Sequence, residues 1–200
     1  SIIIPMYNRK ELFSSIWNTI NNQTYTNLEV IIVDDGSEKH LKIPEYFDER
    51  FRLIRYETNI GPGYARRKGR EKAQGKYIAY LDSDDWWSEN FIESCVIELE
   101  NNTNVGMVYS DTITLKNGKE VRRRASINTP DSILPDLFKY KKRCWSTASC
   151  LWKANISEAQ NWVDLRNNED FIHDALCSVK NNRILFNDNA LTYNNNTAQD

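Results

Sequence analysis

Five short, almost wholly apolar runs, spaced along the first half of the chain by amphipathic stretches, constrain the fold more than any other feature. Ile2–Pro5, Leu28–Val33, Phe51–Tyr56, Tyr77–Leu81 and Val105–Ser110 read as strands, rich in β-branched and aromatic residues. Between them, Asn8–Asn22, Gly63–Gln74 and Ser88–Asn101 read as helices. In the first, Asn8 is placed as an N-cap, and Leu12, Ile16 and Ile20 recur on one face. Arg52 and Arg55 interrupt the third run and make it an edge strand. Strands this apolar are covered on both faces, and strands that alternate with helices are joined by right-handed crossovers. The pattern therefore predicts an α/β fold with a mostly parallel, doubly wound sheet.

Each main strand ends in polar residues: Pro5-Met6-Tyr7-Asn8, Asp34-Asp35-Gly36-Ser37 and Asp82-Ser83-Asp84-Asp85. Ligands of open parallel sheets sit beyond the carboxyl ends of the strands, so these clusters are expected on one rim. In an extended segment Asp82 and Asp84 project to the same side, about 7 Å apart along the chain. Like charges held that close need a cation or strong donors, and paired carboxylate oxygens suit Mg²⁺ or Mn²⁺. The competing reading has these acids cap the following helix. Asp85 or Ser88 suffices for a cap, which leaves Asp82 and Asp84 to a metal. Asp34 and Asp35 are placed to accept hydrogen bonds from a ribose or a base, where a plain strand-ending Asx turn needs only one acid.

Asn59-Ile60-Gly61-Pro62-Gly63-Tyr64-Ala65-Arg66 imitates a dinucleotide fingerprint and fails it, because Arg66 holds the third glycine position and the stretch does not follow the first strand. It still opens a helix whose N–H groups favour anions, and Arg66 is in reach of a phosphate or a base.

Past Ser110 the pattern changes. Thr112–Leu115, Asn117-Gly118 and Glu120–Arg123 form a predicted hairpin. A short helix is expected over Pro130–Tyr140, a strand over Ala148–Trp152, and a short helix or loop over Asn155–Trp162. A longer helix follows Asn167-Asn168-Glu169-Asp170, with Phe171, Ala175 and Val179 on its buried face. A strand at Ile184–Phe186 and a loose polar tail from Asn194 end the chain. Glu169 and Asp170 suit a general base as well as they suit the positive end of a helix dipole. Arg122-Arg123-Arg124 and Lys139–Arg143 read as surface basic runs, available to an anionic acceptor or lipid headgroups.

The charge balance, Lys+Arg 26 against Asp+Glu 28, argues against a nucleic-acid binder. Cys95, Cys144, Cys150 and Cys177 form no CxxC pair, and neither His40 nor His173 stands at zinc-ligand spacing, which points to a reducing cytoplasm. Ser1 runs straight into Ile2-Ile3-Ile4, so the chain is expected to begin inside its first strand.

Taken in order, Ser1–Arg9, Val30–Ser37, Asn59–Gly69, Ala73–Asp85 and Glu169-Asp170 resemble the family 2 glycosyltransferases with the GT-A fold. The resemblance implies one catalytic domain over residues 1–200, with 1–110 as the nucleotide-sugar-binding half and 111–200 as the acceptor-side half. It implies transfer of a sugar, with inversion, from a nucleotide diphosphate donor, a UDP-sugar before a GDP- or dTDP-sugar, to a saccharide or lipid-linked acceptor. By position Pro5, Tyr7, Asn8, Asp34, Asp35 and Arg66 would contact the nucleoside. Asp82 and Ser83 would approach the ribose or the metal shell, Asp84 would bind Mn²⁺ or Mg²⁺, and Asp170 beside Glu169 would take the acceptor proton. Relatives often add a histidine metal ligand near the C-terminus, and no histidine follows His173. A cytoplasmic location, with peripheral association at the inner membrane face, belongs to the same implication. A sugar-1-phosphate nucleotidyltransferase would need a Gly-rich basic loop after the first strand, and Pro5-Met6-Tyr7-Asn8 is not one. A non-catalytic carbohydrate-binding relative would be expected to have lost the strand-end acids, which are all present.

Overall fold

A computed structural model describes residues 1–116, 119–123, 130–135, 137–138 and 143–195. One sheet runs through it. Its strands are β1 (Ile2–Met6), β2 (Val30–Asp35), β3 (Phe51–Tyr56), β4 (Tyr77–Tyr80), β5 (Asp85–Trp87), β6 (Met107–Lys116), β7 (Lys119–Arg123), β8 (Cys150–Lys153) and β9 (Ile184–Asn195). Spatially they follow the order β3-β2-β1-β4-β8-β6-β9-β5, and β7 pairs with β6. The first four are mutually parallel. β8 then inserts antiparallel between β4 and β6, and β9 runs parallel to β6. The parallel, doubly wound half matches the expectation, while the far half is mixed because the chain returns to it through a strand drawn from residues 150–153.

The apolar runs alternate faces as a covered strand must. Ile2, Ile4 and Met6 of β1 join the core cluster beneath α1 (Phe13–Asn21) and α3 (Phe91–Asn101). Ile3 points the other way, into a core built from Tyr80, Trp152 and Trp162. On that side α2 (Pro62–Lys72) lies close against β1: a Cβ at Gly69 would stand 2.4 Å from Ile3 Cγ2. The fourth long helix, α4 (Glu169–Lys180), covers the same face further along.

Several sequence expectations need correction. Asn8 does not cap α1, which starts at Phe13 after a single 3₁₀ turn at Lys10–Leu12, because Asn8 holds a left-handed conformation (φ 52°) that braces the loop. Val105–Ser110 and Thr112–Leu115 are one strand, β6, with a bulge between Ser110 and Asp111. β9 extends through Asn194 and Asn195, which were expected in a loose tail. Of the expected buried face of α4, Phe171 and Ala175 are partly buried against the core, but Val179 is 81% exposed, and His173, Asp174 and Cys177 form the fully buried side. Polar groups with partners outcompete a weak apolar stripe there. The Asn117-Gly118 turn lies outside the described residues, as do parts of the 130–140 stretch and of both basic runs.

Candidate active site

In the order β3-β2-β1-β4, the chain reverses direction of travel across the sheet at β1, and a cleft of about 430 Å³ opens beyond the ends of β1, β2 and β4. Pro5, Tyr7, Asp35, Arg66, Asp82, Ser83 and Asp84 line it, so most of the expected residues meet in one place. Tyr7 is 41% exposed and offers an aromatic face.

Asn8 and Asp34 differ from expectation. Asn8 donates its N–H to Ser37 Oγ (2.9 Å) and accepts from Glu38 N (2.9 Å), tying the β1 loop to the β2 loop. Asp34 is fully buried and accepts from Ser37 N (2.9 Å) and from Arg55 (2.6 Å), so it holds the turn and not a ligand. Its neighbour Asp35 accepts from Ile60 N (3.2 Å) and Gly61 N (2.7 Å) at the cleft wall. Burial pushes the Asp35 carboxyl pKa up against those two backbone donors. Gly36 has φ 78°, and a Cβ there would stand 2.6 Å from Asn59 N, so this turn requires glycine.

At the end of β4 three carboxylates converge. Asp82 meets Arg66 (2.6 Å), Asp84 meets Arg9 (2.6 Å), and Asp85 lies behind them, largely buried. Burial, then repulsion from Asp82 and Asp84, pushes the Asp85 pKa up to about 9. An unfolded aspartate titrates near ~4, so the native state holds this proton more tightly. The stability it confers is fully present at acid pH and is lost as pH rises towards 9. In chelator, Asp85→Asn is therefore expected to melt several degrees above the parent at pH 8, with the gap closing towards pH 4. Equal melting curves at pH 8 would contradict the repulsion.

This donor set fits a hard divalent cation. Among the described residues no three His, Cys, Asp or Glu side chains converge with metal-holding geometry. Asp82 and Asp84, both on the cleft lining, are the carboxylates that would hold such an ion, its other positions left to water and phosphate. The Arg9–Asp84 pair is roughly half exposed on both sides, and such pairs are worth only ~0–1 kcal/mol, so Asp84 exchanges partners easily.

Arg66 joins this cluster to the far side. Its guanidinium, 5% exposed, contacts Asp82 (2.6 Å) and Glu169 (2.8 Å) and lies 4.9 Å over the Trp162 ring. Burial works against its charge, but the two carboxylates outweigh it and raise its pKa further. Glu169 at the start of α4 is thereby buried and engaged. Asp170 is freer, its side chain 31% exposed, and it accepts from Arg143, Thr147 Oγ1 (3.3 Å) and Phe171 N (2.8 Å). Arg143, expected on the surface, is largely buried, its side chain 12% exposed between Asp170 and Asp174, the latter at 2.7 Å. From Asp174 a buried chain continues through His173 Nδ1 (3.0 Å), His173 Nε2 to Ser157 Oγ (2.9 Å), and Ser157 to Tyr80 OH (2.7 Å). His173, stacked 4.1 Å from Trp162, thus helps fix α4 under the two acids.

Sequence reasoning missed Arg166, Asn59 and Arg9 as cleft residues. Arg166 donates to Asn59 O (3.1 Å) from across the cleft. Arg9, directly after Tyr7-Asn8 at a strand end, and Asn59, at the head of the glycine-rich stretch, had signals available; Arg166 had none.

Comparison with known proteins agrees with this architecture. The family model "Glycosyl transferase family 2" matches residues 1–153. An Escherichia coli protein named UDP-Glc:alpha-D-GlcNAc-diphosphoundecaprenol beta-1,3-glucosyltransferase WfgD is 33% identical over 123 residues, 60% of this chain and 48% of its own length. The putative teichuronic acid biosynthesis glycosyltransferase TuaG of Bacillus subtilis is 38% identical over 97 residues, 46% of this chain and 38% of its own. This chain thus spans less than half the length of either relative. The crystal structure of S. aureus TarS 1–349 in complex with UDP-GlcNAc superposes with a TM-score of 0.82 at 19% identity, over 100% of this chain and 59% of that one. At that identity the likeness concerns the fold, and the fold is the GT-A type. With three quarters of its residues matched by the family model, the chain belongs to glycosyl transferase family 2.

Proposed function

We propose that this chain is the catalytic domain of an inverting, divalent-metal-dependent glycosyltransferase that moves a sugar from a UDP-sugar to a hydroxyl of a saccharide or lipid-linked acceptor in glycan biosynthesis. The observation that carries the reading is the Arg66 guanidinium, which joins Asp82 of the strand-end acids to Glu169 at the start of α4. It supports a reading in which Asp82 and Asp84, on the cleft lining, serve the donor, and Asp170, beside the Glu169 that Arg66 grips, serves the acceptor. A UDP-linked name among the relatives and UDP or UDP-GlcNAc in fold neighbours support uridine over guanosine, while a neighbour solved with GDP-Man and Mn²⁺ supports the metal.

In this reading Tyr7 stacks on the base and Asp35 accepts its N–H, with Pro5 shaping the wall. Asp82 and Ser83 face the ribose and diphosphate, and Asp84 with Asp82 would hold Mn²⁺ or Mg²⁺. When bound, the cation compensates the charge that develops on the departing diphosphate. Asp170 accepts the proton of the acceptor hydroxyl as its oxygen bonds to the anomeric carbon and the bond to the nucleoside diphosphate breaks. Glu169, with a side chain 9% exposed and held by Arg66, is the less accessible of the two acids. Arg143 and Thr147 hold the Asp170 carboxylate in position. No helix among the described residues is long and apolar enough to cross a membrane.

The test is thermal stability against UDP, GDP, dTDP, CDP and NAD, each with Mn²⁺ or with chelator. UDP with Mn²⁺ is expected to raise the melting temperature by mass action, and Asp84→Ala to lose that shift. A shift with NAD alone, or with none of them, overturns the donor assignment.

A further inference from the structure

A second groove, of about 400 Å³, lies between α1 and the edge of the sheet formed by β5 and β9, and it shares no lining residue with the cleft. One wall is aromatic. Trp86 and Tyr193, cross-strand partners, stack with ring centroids 5.5 Å apart and planes within 3°. Both rings are half-buried. Successive strand side chains leave on opposite faces, so β5 separates Trp86 from the neighbouring Asp85 and its carboxylate cluster. Ser15, Asn18 and Asn22 of α1 and its C-cap form the other wall, at a spacing that keeps them on one side of the helix. Trp87 and Thr19 close the floor, where Trp87 N donates to Thr19 Oγ1 at 2.9 Å.

The composition of α1 is the telling feature. Phe-Ser-Ser-Ile-Trp-Asn-Thr-Ile-Asn contains no charged residue. Exposed helix faces ordinarily carry Lys, Glu or Arg, which favour the helix; Ser and Asn disfavour it because their side chains compete for backbone hydrogen bonds. Ser14, Ser15, Asn18, Asn21 and Asn22 are nevertheless the exposed residues here, and three of them, Ser15, Asn18 and Asn22, line the groove. What they supply is a row of short, neutral donors and acceptors facing two aromatic rings. Sugars need that pairing: a ring stacks against their C–H face, while amides, donor and acceptor at once, match their hydroxyls. No cation is among the described lining residues, and Glu89 contributes negative charge, so an anionic ligand is disfavoured.

We propose that this groove binds a neutral oligosaccharide, with Trp86 as the stacking platform and Asn18 and Asn22 bonding to hydroxyls. The site goes beyond the donor reading and is independent of it. If both hold, the groove carries a part of the acceptor or product glycan remote from the reacting sugar.

The experiment is an array of neutral and anionic oligosaccharides probed with the purified protein in chelator and without nucleotide. Retention on neutral glycans is expected, reduced about tenfold or more in Trp86→Ala. The paired substitution Asn18→Ala with Asn22→Ala is expected to lose retention without lowering the melting temperature, which separates binding from folding. Added UDP with Mn²⁺ is expected to leave the signal in place. Failure to retain any neutral glycan overturns the proposal. So does retention confined to anionic glycans, unaltered in the variants, or competed away by UDP. The donor reading stands or falls separately, on the nucleotide shifts.

Discussion

Asp170→Asn is expected to lower the turnover of sugar transfer by about 10²–10⁴-fold while UDP still raises the melting temperature. The amide keeps the shape of the carboxylate and loses its ability to take a proton. Asp170 is suited to that task by position: it lies in the first turn of α4, its side chain is 31% exposed, and Arg143 and Thr147 fix one oxygen while Phe171 N fixes the other. Glu169 is closer in sequence to the donor-side contacts but is closed off by Arg66. Glu169→Gln should therefore act chiefly through loosening Arg66, visible in stability. Transfer at parental rate by Asp170→Asn would remove the base assignment; loss of the UDP shift in the same variant would mean that the substitution disturbs the cleft itself.

Arg66→Met should be the most damaging stability change in the site. The guanidinium is the shared partner of Asp82 and of buried Glu169, and removing one member of a buried ionic set leaves uncompensated charge behind. Such losses run to about 3–5 kcal/mol. In a domain of this size each kcal/mol moves the melting temperature by roughly 2–4 °C, so a fall of about 6–20 °C is expected. Glu169→Gln in the same chain should restore part of it, because the stranded charge is then gone. A loss below about 1 kcal/mol would show that water reaches Glu169 and that the bridge contributes little.

How much of this was legible in the sequence depended on how locally each feature is encoded. β1, β2 and β4 with their terminal Tyr7, Asp35, Asp82 and Asp84 could be read because apolar run, turn and acid are contiguous. Asp34 could not be told from Asp35 by sequence, since only the fold turns one inward to Arg55 and the other to the cleft. Arg143 was hidden in a basic run, and nothing local says that two aspartates a helix away will bury it. Arg166 reaches Asn59 from more than a hundred residues away. α4 misled for a different reason. Apolar periodicity assumes that buried means apolar, and the buried side of α4 is a hydrogen-bonded series through Asp174 and His173. Binary patterning cannot detect a face that is buried because its polar groups satisfy one another.

The antiparallel insertion of β8 bears on how this scaffold can be recombined. β8 sits between β4 and β6, pairing Tyr77 with Lys153 on one side and Met107 with Trp152 on the other. A hybrid joined to a relative at residue 110 would leave β4 facing a foreign strand at the centre of the sheet. Joined just after Lys153, where the family match also ends, the hybrid keeps β4, β8 and β6 from one parent and takes α4 with its two acids from the other. β9 then also comes from the second parent, so such a hybrid depends on the β6–β9 and β5–β9 pairings being compatible between the two.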